Sequence, residues 1–524
     1  MRLVQVCPNR LKRGIVFFTP GKIREKITVF DTTLRDGEQT PGISFTLPQK
    51  KEIARQLSEI GVHVIEAGFP ASSESEHETV KAIAAMGLEA RVCGLARMTR
   101  GDVDACLDCG VDMVHVFIPT SDVQRIHTIK KTREEILEVS EEVVSYARER
   151  CDHVLFSAMD ATRTDWDYLV QVLQVAVRAG ATVLNIPDTV GVITPSAMKE
   201  LIGRIVAEVD CPIDTHCHND FGLAVANTLA AVEGGASQVQ VTVNGLGERA
   251  GNTPLEELVM SLEVLYGVKT GIKTVELYHL ASLVSRLTKV PLPTNKAIVG
   301  EMAFTHESGI HAHGILRDSR TYEPIRPEMV GRKRRIVLGK HSGTASVEAA
   351  LQEMNYKADR HQVAEIVARI KKLGDEGKRV TDADLMAIAE TVLGLEAEPA
   401  LALRQFTVVS GSHVVPTASV TLMVNGKEIT GASTGDGPVD AAISSLRRSV
   451  AAVGDIHLEE YHVDAITGGT EALVDVTVRL SKDGKILTSR GASTDIIMAS
   501  VEAVIAGMNR LLREEDEVRS KNPD

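Results

Sequence analysis

Short apolar runs alternate with amphipathic segments along the first half of the chain. Eight runs rich in Val, Ile and Leu have the length of buried strands. Between them, apolar residues recur at three- and four-residue spacing, as in residues 48–60 and 132–149, which predicts amphipathic helices. The apolar runs are KITVF at 26, VIEAG at 64, RVCGLA at 91, MVHVFI at 113, HVLFSA at 153, TVLNIP at 182, PIDTHCH at 212 and QVQVTVN at 238.

This repeated strand–helix pattern predicts an α/β fold in which residues 26–285 form a closed (βα)8 TIM barrel. The segment has about the 250 residues typical of that fold. An open doubly wound sheet is the alternative, but no glycine-rich dinucleotide-binding turn follows the first strand. In barrels of this type the active site lies at the carboxyl ends of the strands, so functional residues are expected there.

The pattern changes after the barrel. Residues 286–400 are predicted to form a helical linker subdomain, and short alternating strands followed by helix-like runs begin at about residue 401. The tetrapeptide GAST occurs at 431 and again at 491. This repeat predicts an α+β regulatory domain over residues 401–515, built from a duplicated strand–strand–helix (ββα) unit.

Polar side chains follow strand after strand at the predicted catalytic end of the barrel. A buried strand has no structural need for charge at its end, so we expect these side chains to converge on one cavity. In strand order they are Asp31 to Glu38, Glu66, Asp160 to Arg163, Asn185 with Asp188, His216 with His218, and Asn244.

The HxH pair is the first candidate metal site. His216 and His218 are two residues apart, so a strand turns both imidazoles to one face and Cys217 to the other. Such a pair predicts either metal ligands or hydrogen-bonded polar residues. Closure of the barrel brings the loop after strand one close, and the carboxylate of Asp36 then favours metal binding. Two imidazoles and one carboxylate suit Mn²⁺, Mg²⁺ or Zn²⁺ acting as a Lewis acid on a bound carbonyl.

Arg35 precedes the candidate ligand Asp36. Its guanidinium is expected to bind an oxygen or carboxylate of the same substrate in a bidentate way. The competing interpretation is a structural ion pair with Asp31 or Glu66.

Two further motifs lie beyond the barrel. FTHESGIHAHG at 304–314 contains three His and one Glu, which suits proton transfer near neutral pH, a second metal site or an ordinary polar loop. Residues 331–335 contain four basic side chains, which indicate a solvated loop or a site for the phosphate of an anionic cofactor.

The charge of the chain indicates which kind of molecule it binds. The chain has a formal net charge of -13 and a pI near 5.7, which argues against nucleic acid or an anionic membrane and favours a small-molecule partner. The basic start of the chain has only the short apolar run IVFF, so we expect no secretion signal or membrane span and a cytoplasmic location.

Five motifs together resemble the 2-isopropylmalate synthase family and its relatives, the citramalate and homocitrate synthases. They are DTTLRDGEQT, NIPDTVG, HCHNDFGLAVAN, VNGLGERAGN and HESGIHAHG, and the resemblance covers nearly the whole chain. It implies a Claisen condensation of acetyl-CoA with a 2-oxo acid, followed by hydrolysis of the thioester. A 2-oxo acid can chelate a metal through its carbonyl and carboxylate oxygens, which fits the residues identified above.

The resemblance also implies roles for individual residues. The metal ligands would be Asp36, His216, His218 and Asn252, with Arg35 on the 2-oxo acid. The base that deprotonates the acetyl methyl group would be His311, assisted in later steps by Tyr322. The resemblance further implies a homodimer, in which the region after the barrel covers the active site of the partner subunit. The expected substrate pocket comprises Arg35, His115, Ser157, Asn185, Pro187 and Thr189.

Two positions depart from the family pattern. Relatives commonly have a glutamate where this chain has Met159, and Asp160, Glu38 or Glu307 could replace it in catalysis. We take Asp160 as the candidate. His313 stands where many relatives have an aspartate.

The resemblance leaves the 2-oxo acid and the effector open. Asn185, Pro187, His115 and Ser157 favour 2-oxoisovalerate, the substrate of 2-isopropylmalate synthases in leucine biosynthesis. Pyruvate, the substrate of citramalate synthases, is the alternative. The C-terminal domain resembles the leucine-sensing domain of the first group, although citramalate synthases carry a related domain that senses isoleucine. Homocitrate synthase, a metal-dependent acyl-CoA lyase and a catalytically weak regulatory homologue are less favoured.

Overall fold

The computed structural model describes residues 23 and 25–521, apart from 355, 376–379, 396–400, 425, 451–455, 466–473 and 483–484. The basic N-terminal segment lies outside the described residues. The predicted barrel is confirmed: eight parallel strands close on themselves, with the first strand paired to both the second and the eighth. The strands are β1 (Thr28–Asp31), β2 (Val64–Gly68), β3 (Arg91–Arg97), β4 (Met113–Pro119), β5 (Val154–Met159), β6 (Val183–Asp188), β7 (Ile213–Cys217) and β8 (Gln238–Val241).

Amphipathic helices connect these strands and cover the barrel. The first of them shows why they form where they do, since Thr46 and Gln49 make a capping box at its start and Gly61, with φ of 100°, ends it. The helices around the barrel are α1 (Leu47–Ile60), α2 (Glu74–Ala84), α3 (Arg100–Asp108), α4 (Arg133–Arg148), α5 (Trp166–Arg178), α6 (Pro195–Glu208), α7 (Ala224–Gly234), α8 (Leu255–Met260) and α9 (Leu277–Thr288).

The barrel interior is layered. One layer is apolar and consists of side chains from the first five strands, which pack together in the centre. Strand side chains alternate in direction, so the residue two positions further along also points inward. At those positions β2, β4 and β5 carry Glu66, His115 and Ser157, so the layer towards the carboxyl ends is polar. The apolar layer comprises Phe30, Val64, Cys93, Met113 and Leu155.

Tertiary contacts divide the chain into two compact units. The first extends to His306 and also includes Gly314–Ile336, and the second comprises Glu307–His313 and the chain from Val337 onwards. Beyond the barrel, the first unit holds the short parallel strands β9 (Thr305–His306) and β10 (Arg335–Ile336). Helix α10 (Gly309–Arg317) runs from one unit into the other.

The second unit contains two hydrophobic clusters. Helices α11 (Thr344–Glu353), α12 (Arg360–Asp375) and α13 (Asp382–Leu393) surround one of them. The other lies between two three-stranded antiparallel sheets and two helices. These elements are β11 (Leu401–Gly411), β12 (Val414–Val424), β13 (Lys427–Thr434), α14 (Pro438–Ser449), β14 (His457–Ala465), β15 (Val474–Lys482), β16 (Lys485–Ser493) and α15 (Ile496–Lys521).

The predicted duplication is present, but its unit has one strand more than expected. Each copy is βββα, because β11 and β14 precede the two strands that the alternating pattern indicated. Among the described residues, both additional strands lie at the edge of their sheet and pair with one neighbour. Many side chains of β11 are partly or fully exposed, so its apolar–polar alternation is weak. Within the described ranges, no helix combines the length and the apolar character needed to cross a bilayer.

A buried lysine joins the loops that follow the first two strands. The Lys50 side chain on α1 is 2% exposed, and its Nζ lies 2.6 Å from Glu38 Oε2 and 3.0 Å from Glu76 Oε2. Glu38 belongs to the loop after β1, whereas Glu76 lies in the first turn of α2 and also accepts a hydrogen bond from the Phe69 N–H. The Lys50 ammonium group therefore connects the loop after β1 with the first turn of α2 at the carboxyl end of the barrel.

We expect Lys50→Met to destabilise the barrel by about 3 kcal/mol, because two poorly solvated carboxylates would lose their shared cation. Urea unfolding followed by the fluorescence of Trp166 measures this directly, since Trp166 is the only tryptophan and lies on α5 of the barrel. Lys51→Met, at the neighbouring half-buried position, is the matched control. Equal unfolding midpoints for the two variants would contradict the role given to Lys50.

Candidate metal centre and substrate pocket

The structure brings three candidate metal ligands together at the carboxyl end of the barrel. Asp36 lies in the loop after β1, His216 on β7 and His218 directly after it, and all three are buried. One ligand atom of each lies within 4.8 Å of the others. His216 Nε2 is 3.2 Å from His218 Nε2 and 3.6 Å from Asp36 Oδ2. Strand β8 separates β1 from β7, so the Asp36 loop reaches across the end of β8 to the two imidazoles.

The electrostatics of this cluster fit a bound cation. Burial lowers the pKa of His216, and burial together with the charge of His216 lowers the pKa of His218 to about 3, so both imidazoles are neutral at pH 7. Burial alone would raise the pKa of the Asp36 carboxyl, but the positive charge of Arg35 in particular outweighs it and keeps that pKa below its ordinary value. An anion and two neutral nitrogen ligands with converging lone pairs form a site that a divalent cation would neutralise.

Asn252 completes the cluster. Its Nδ2 donates a hydrogen bond of 2.5 Å to Asp36 Oδ2, and a short antiparallel bridge joins its backbone to that of His218. Its buried Oδ1 has no hydrogen-bond partner within the described part of the chain. An unpaired buried acceptor is costly, and a nearby cation would satisfy it. Residues Asp36, His216, His218 and Asn252 therefore suit a divalent metal such as Mn²⁺, Mg²⁺ or Zn²⁺.

Arg35 forms the ion pair that was the competing interpretation of its sequence position, and its binding of a substrate remains a prediction. Its Nε donates to Glu66 Oε2 at 2.7 Å and its Nη1 to Asp36 Oδ1 at 2.6 Å, whereas Asp31 is not its partner. The side chain is 13% exposed. These two contacts hold the guanidinium beside the ligand cluster, which is where an anionic substrate group on the metal would need a cation.

A hydrogen-bonded network of buried side chains extends from Arg35 into the barrel interior, where the substrate pocket was predicted. Glu66 Oε1 lies 2.6 Å from His115 Nδ1, so this nitrogen donates to the carboxylate. His115 Nε2 is then free to accept the Ser157 hydroxyl at 2.7 Å, and Asn185 Nδ2 donates to the same hydroxyl oxygen at 2.8 Å. Burial would raise the pKa of Glu66, but Arg35 and His115 together hold it well below its ordinary value. Glu66 thus orients both Arg35 and His115.

The loop after β5 is fixed by a different set of contacts. Asp160 has a positive φ of 65°, and its carboxylate accepts hydrogen bonds from Ser121 and from Arg163, whose Nη2 lies 2.7 Å from Oδ2. The Asp160 N–H donates to the Thr189 hydroxyl at 2.9 Å. Met159 is partly buried at the end of β5. The carboxylate of Asp160 is therefore engaged in holding this loop, and its catalytic role remains a prediction.

The remaining predicted site residues lie in several parts of the chain. Pro187 on β6 is in register with His216 on β7. His311 is exposed on the part of α10 that belongs to the second unit, and Tyr322 is 43% exposed in the first unit. Asn244, which we expected at the cavity, instead donates its Nδ2 to the Ala281 carbonyl on α9. The roles of His311 and Tyr322 remain predictions.

Sequence reasoning missed the side chains behind His216. Gln240 on β8 accepts at its Oε1 from His216 Nδ1, 2.9 Å away, and its Nε2 donates to Asp214 Oδ2 at 2.6 Å. Both residues are fully buried. The signal was present in QVQV, where glutamine occupies alternate, inward-facing positions of a buried strand.

Three protein-family models match successive segments of the chain. Residues 26–284 match the HMGL-like family, residues 298–378 match the homocitrate synthase post-HMGL domain-like family, and residues 379–512 match the LeuA allosteric (dimerisation) domain. These three matches cover the barrel, the segment that follows it and the C-terminal βββα repeats.

Curated relatives match over nearly their whole length. A protein of Methanoculleus marisnigri, provisionally named (R)-citramalate synthase CimA, is 60% identical over 95% of this chain and 99% of the relative. A protein of Methanosarcina acetivorans, provisionally named 2-isopropylmalate synthase, is 52% identical over 96% of this chain and 99% of the relative. The 2-isopropylmalate synthase of Methanocaldococcus jannaschii is 53% identical over 94% of this chain and 95% of the relative.

We expect Asp36→Asn to weaken Mn²⁺ binding by more than about 100-fold, because it removes the only anionic ligand of the cluster. Electron paramagnetic resonance of free Mn²⁺ during a titration of the purified protein measures the affinity. Asp220→Asn serves as the control, since Asp220 forms an ion pair with Arg249 and is not one of the clustered ligands. An Asp36→Asn protein that binds Mn²⁺ as tightly as the unaltered chain would exclude a metal at this position.

Proposed function

This chain belongs to the family of 2-isopropylmalate and citramalate synthases, and we propose that it condenses acetyl-CoA with 2-oxoisovalerate. The family consists of acyltransferases that join the acetyl methyl carbon to the carbonyl carbon of a 2-oxo acid. In the proposed reaction, acetyl-CoA, 2-oxoisovalerate and water give 2-isopropylmalate and free CoA. The observation that carries this proposal is the juxtaposition of Arg35 with the Asp36, His216 and His218 cluster.

The ligand cluster would supply the electrophilic half of the reaction. A divalent metal held by Asp36, His216, His218 and Asn252 would act as a Lewis acid towards the 2-oxo acid. Arg35 binds the carboxylate of that acid through a charge-assisted hydrogen bond and fixes its orientation. Glu66 keeps the guanidinium in place, because it is buried and its ion pair with Arg35 has little competition from water.

His311 supplies the nucleophilic half in this proposal. Its imidazole removes a proton from the acetyl methyl group, and the resulting carbanion forms the new carbon–carbon bond. The carboxylate of Asp160 is bound by Arg163 and Ser121, which argues against Asp160 as the catalytic replacement for the family glutamate at Met159. We therefore assign Asp160 to fixing the loop after β5, from which its backbone N–H binds the Thr189 hydroxyl, with Tyr322 assisting thioester hydrolysis.

The wall of the pocket supports the choice of 2-oxo acid. His115 Nε2 and Asn185 Nδ2 both bond to the Ser157 hydroxyl, so these polar atoms are engaged with one another in this wall. Such a wall favours the isopropyl group of 2-oxoisovalerate. Pyruvate is the second candidate, because the relative that is 60% identical is provisionally named a citramalate synthase. The two acids differ by two methylene equivalents, and each changes binding in an apolar pocket by only about 1 to 3 kcal/mol, so both acids must be tested.

The C-terminal domain supports regulation and assembly. Its match to the LeuA allosteric (dimerisation) domain indicates oligomerisation, and we propose a homodimer. We further propose that leucine is the effector, with isoleucine as the alternative if pyruvate is the substrate. Binding of the amino acid would then be coupled to the barrel by a free energy that acts in both directions.

The proposed activity is tested by following release of free CoA with a thiol reagent. The purified chain receives acetyl-CoA, Mn²⁺ or Mg²⁺, and either 2-oxoisovalerate or pyruvate, with leucine present or absent. We expect faster turnover of 2-oxoisovalerate and suppression by leucine. Faster turnover of pyruvate would replace this assignment with citramalate synthase, and no turnover of any 2-oxo acid would refute the proposed reaction.

Arg35→Lys should lower kcat/KM for the 2-oxo acid by about 10- to 150-fold, because a lysine cannot reproduce the fork geometry of the guanidinium at a carboxylate. Steady-state kinetics at saturating acetyl-CoA separate the effect on KM from that on kcat. Arg249→Lys, which changes an arginine that is paired with Asp220 at the same rim, controls for the loss of a guanidinium. If both variants lose the same small factor, Arg35 does not bind the carboxylate.

A further inference from the structure

A buried chain of hydrogen bonds leads away from the metal cluster into the barrel interior. His216 Nδ1 contacts Gln240 Oε1 at 2.9 Å, and Gln240 Nε2 contacts Asp214 Oδ2 at 2.6 Å. Asp214 and His216 are inward-facing residues of β7, and Gln240 is the inward-facing residue of the neighbouring β8. Their exposed fractions are 0%, 6% and 1%, respectively, so bulk water does not compete for these hydrogen bonds.

The direction of each hydrogen bond follows from which atoms of Gln240 can donate and which can accept. The amide nitrogen of Gln240 can only donate, and it faces Asp214, so Asp214 Oδ2 accepts this hydrogen bond. The amide oxygen is thereby turned towards His216, where it can only accept. His216 must then carry its proton on Nδ1, which leaves the lone pair on Nε2. That nitrogen is the atom that faces Asp36 and His218.

We propose that Gln240 and Asp214 are positioning residues for the metal centre: Gln240 fixes the tautomer and ring orientation of His216, and Asp214 fixes the direction of the Gln240 amide. The inference rests on the proposed metal site and is independent of which 2-oxo acid reacts. A hydrogen bond to the second nitrogen of a ligating histidine orients the ring and increases its basicity, and its loss commonly weakens metal binding by about 10- to 100-fold.

Asp214 has this role only because residue 240 is an amide. A glutamine has a donor end and an acceptor end, and a neighbour must decide which of them faces His216. A glutamate at position 240 would present an acceptor in either orientation. The importance of Asp214 should therefore disappear when residue 240 becomes a carboxylate. A merely structural role for the pair would not produce this dependence, since the two substitutions would then act independently.

The experiment is a double-mutant cycle with metal affinity as its readout. The full chain and the variants Gln240→Leu, Gln240→Glu, Asp214→Asn and Asp214→Asn with Gln240→Glu are titrated with Co²⁺ in the absence of substrates. The visible absorption of bound Co²⁺ reports both the affinity and the ligand environment. Urea unfolding followed by Trp166 fluorescence, measured on each metal-free variant, reports whether the barrel is folded.

We expect Gln240→Leu to weaken Co²⁺ binding by about 10- to 100-fold, because the acceptor for His216 Nδ1 is lost. Asp214→Asn should weaken binding by about fivefold or more when residue 240 is glutamine. The same Asp214→Asn substitution should change the affinity less than about twofold when residue 240 is glutamate. Gln240→Glu alone should bind Co²⁺ at least as tightly as the unaltered chain.

The inference is overturned if Asp214→Asn has the same effect on both backgrounds, or if Gln240→Leu binds Co²⁺ with unchanged affinity. Should Gln240→Leu fail to fold, the remaining three variants still complete the cycle and decide the question. Because no substrate is present, the outcome is separate from the proposed reaction. A chain that releases no CoA with any 2-oxo acid can still show the predicted dependence, and an active enzyme can fail to show it.

Discussion

Closure of the parallel barrel is the constraint on which the site depends. All eight strands run in the same direction, so their carboxyl ends form one rim, and the pairing of β1 with β8 brings the first loop of the barrel to the last strands. Asp36 and His216 are 180 positions apart by number, yet their side chains meet because that ring is closed. The same closure buries the polar interior layer from water, which strengthens every hydrogen bond and ion pair within it.

Burial of charge at the rim requires each charged group to have a partner. Glu66 accepts hydrogen bonds from Arg35, His115 and the Thr32 hydroxyl, and Lys50 is shared by two carboxylates. These contacts explain how the barrel holds the Arg35 guanidinium and the Glu66 and Asp36 carboxylates close to two neutral imidazoles. They also give the site rigidity, because Arg35 and His115 are both held by Glu66, which is itself buried.

Some predictions come from the chemistry of individual residues, and others come from the resemblance to a known family. The barrel, the HxH pair and Asp36 follow from strand periodicity and from the chemistry expected of imidazole and carboxylate groups. Assignment of His311 as the base and of leucine as the effector comes from resemblance to the family, since neither His311 nor the C-terminal repeat carries a chemical signature of its own. The preference between the two 2-oxo acids depends on small differences in the shape of the pocket wall. The apolar–polar pattern of the strands does not reveal such differences.

The sequence by itself determined the barrel, the polar rim and the metal-ligand types, because hydrophobic periodicity and the side-chain alternation of strands are local properties. Tertiary structure alone decided which partner each polar group takes. It paired Arg35 with Glu66 and not with Asp31, engaged Asp160 with Arg163, turned Asn244 towards α9 and placed Gln240 between His216 and Asp214. It also added β11 and β14 as edge strands. These choices depend on distances between residues far apart in the chain, and a polar side chain can satisfy its hydrogen bonds with any of several neighbours until the fold selects one.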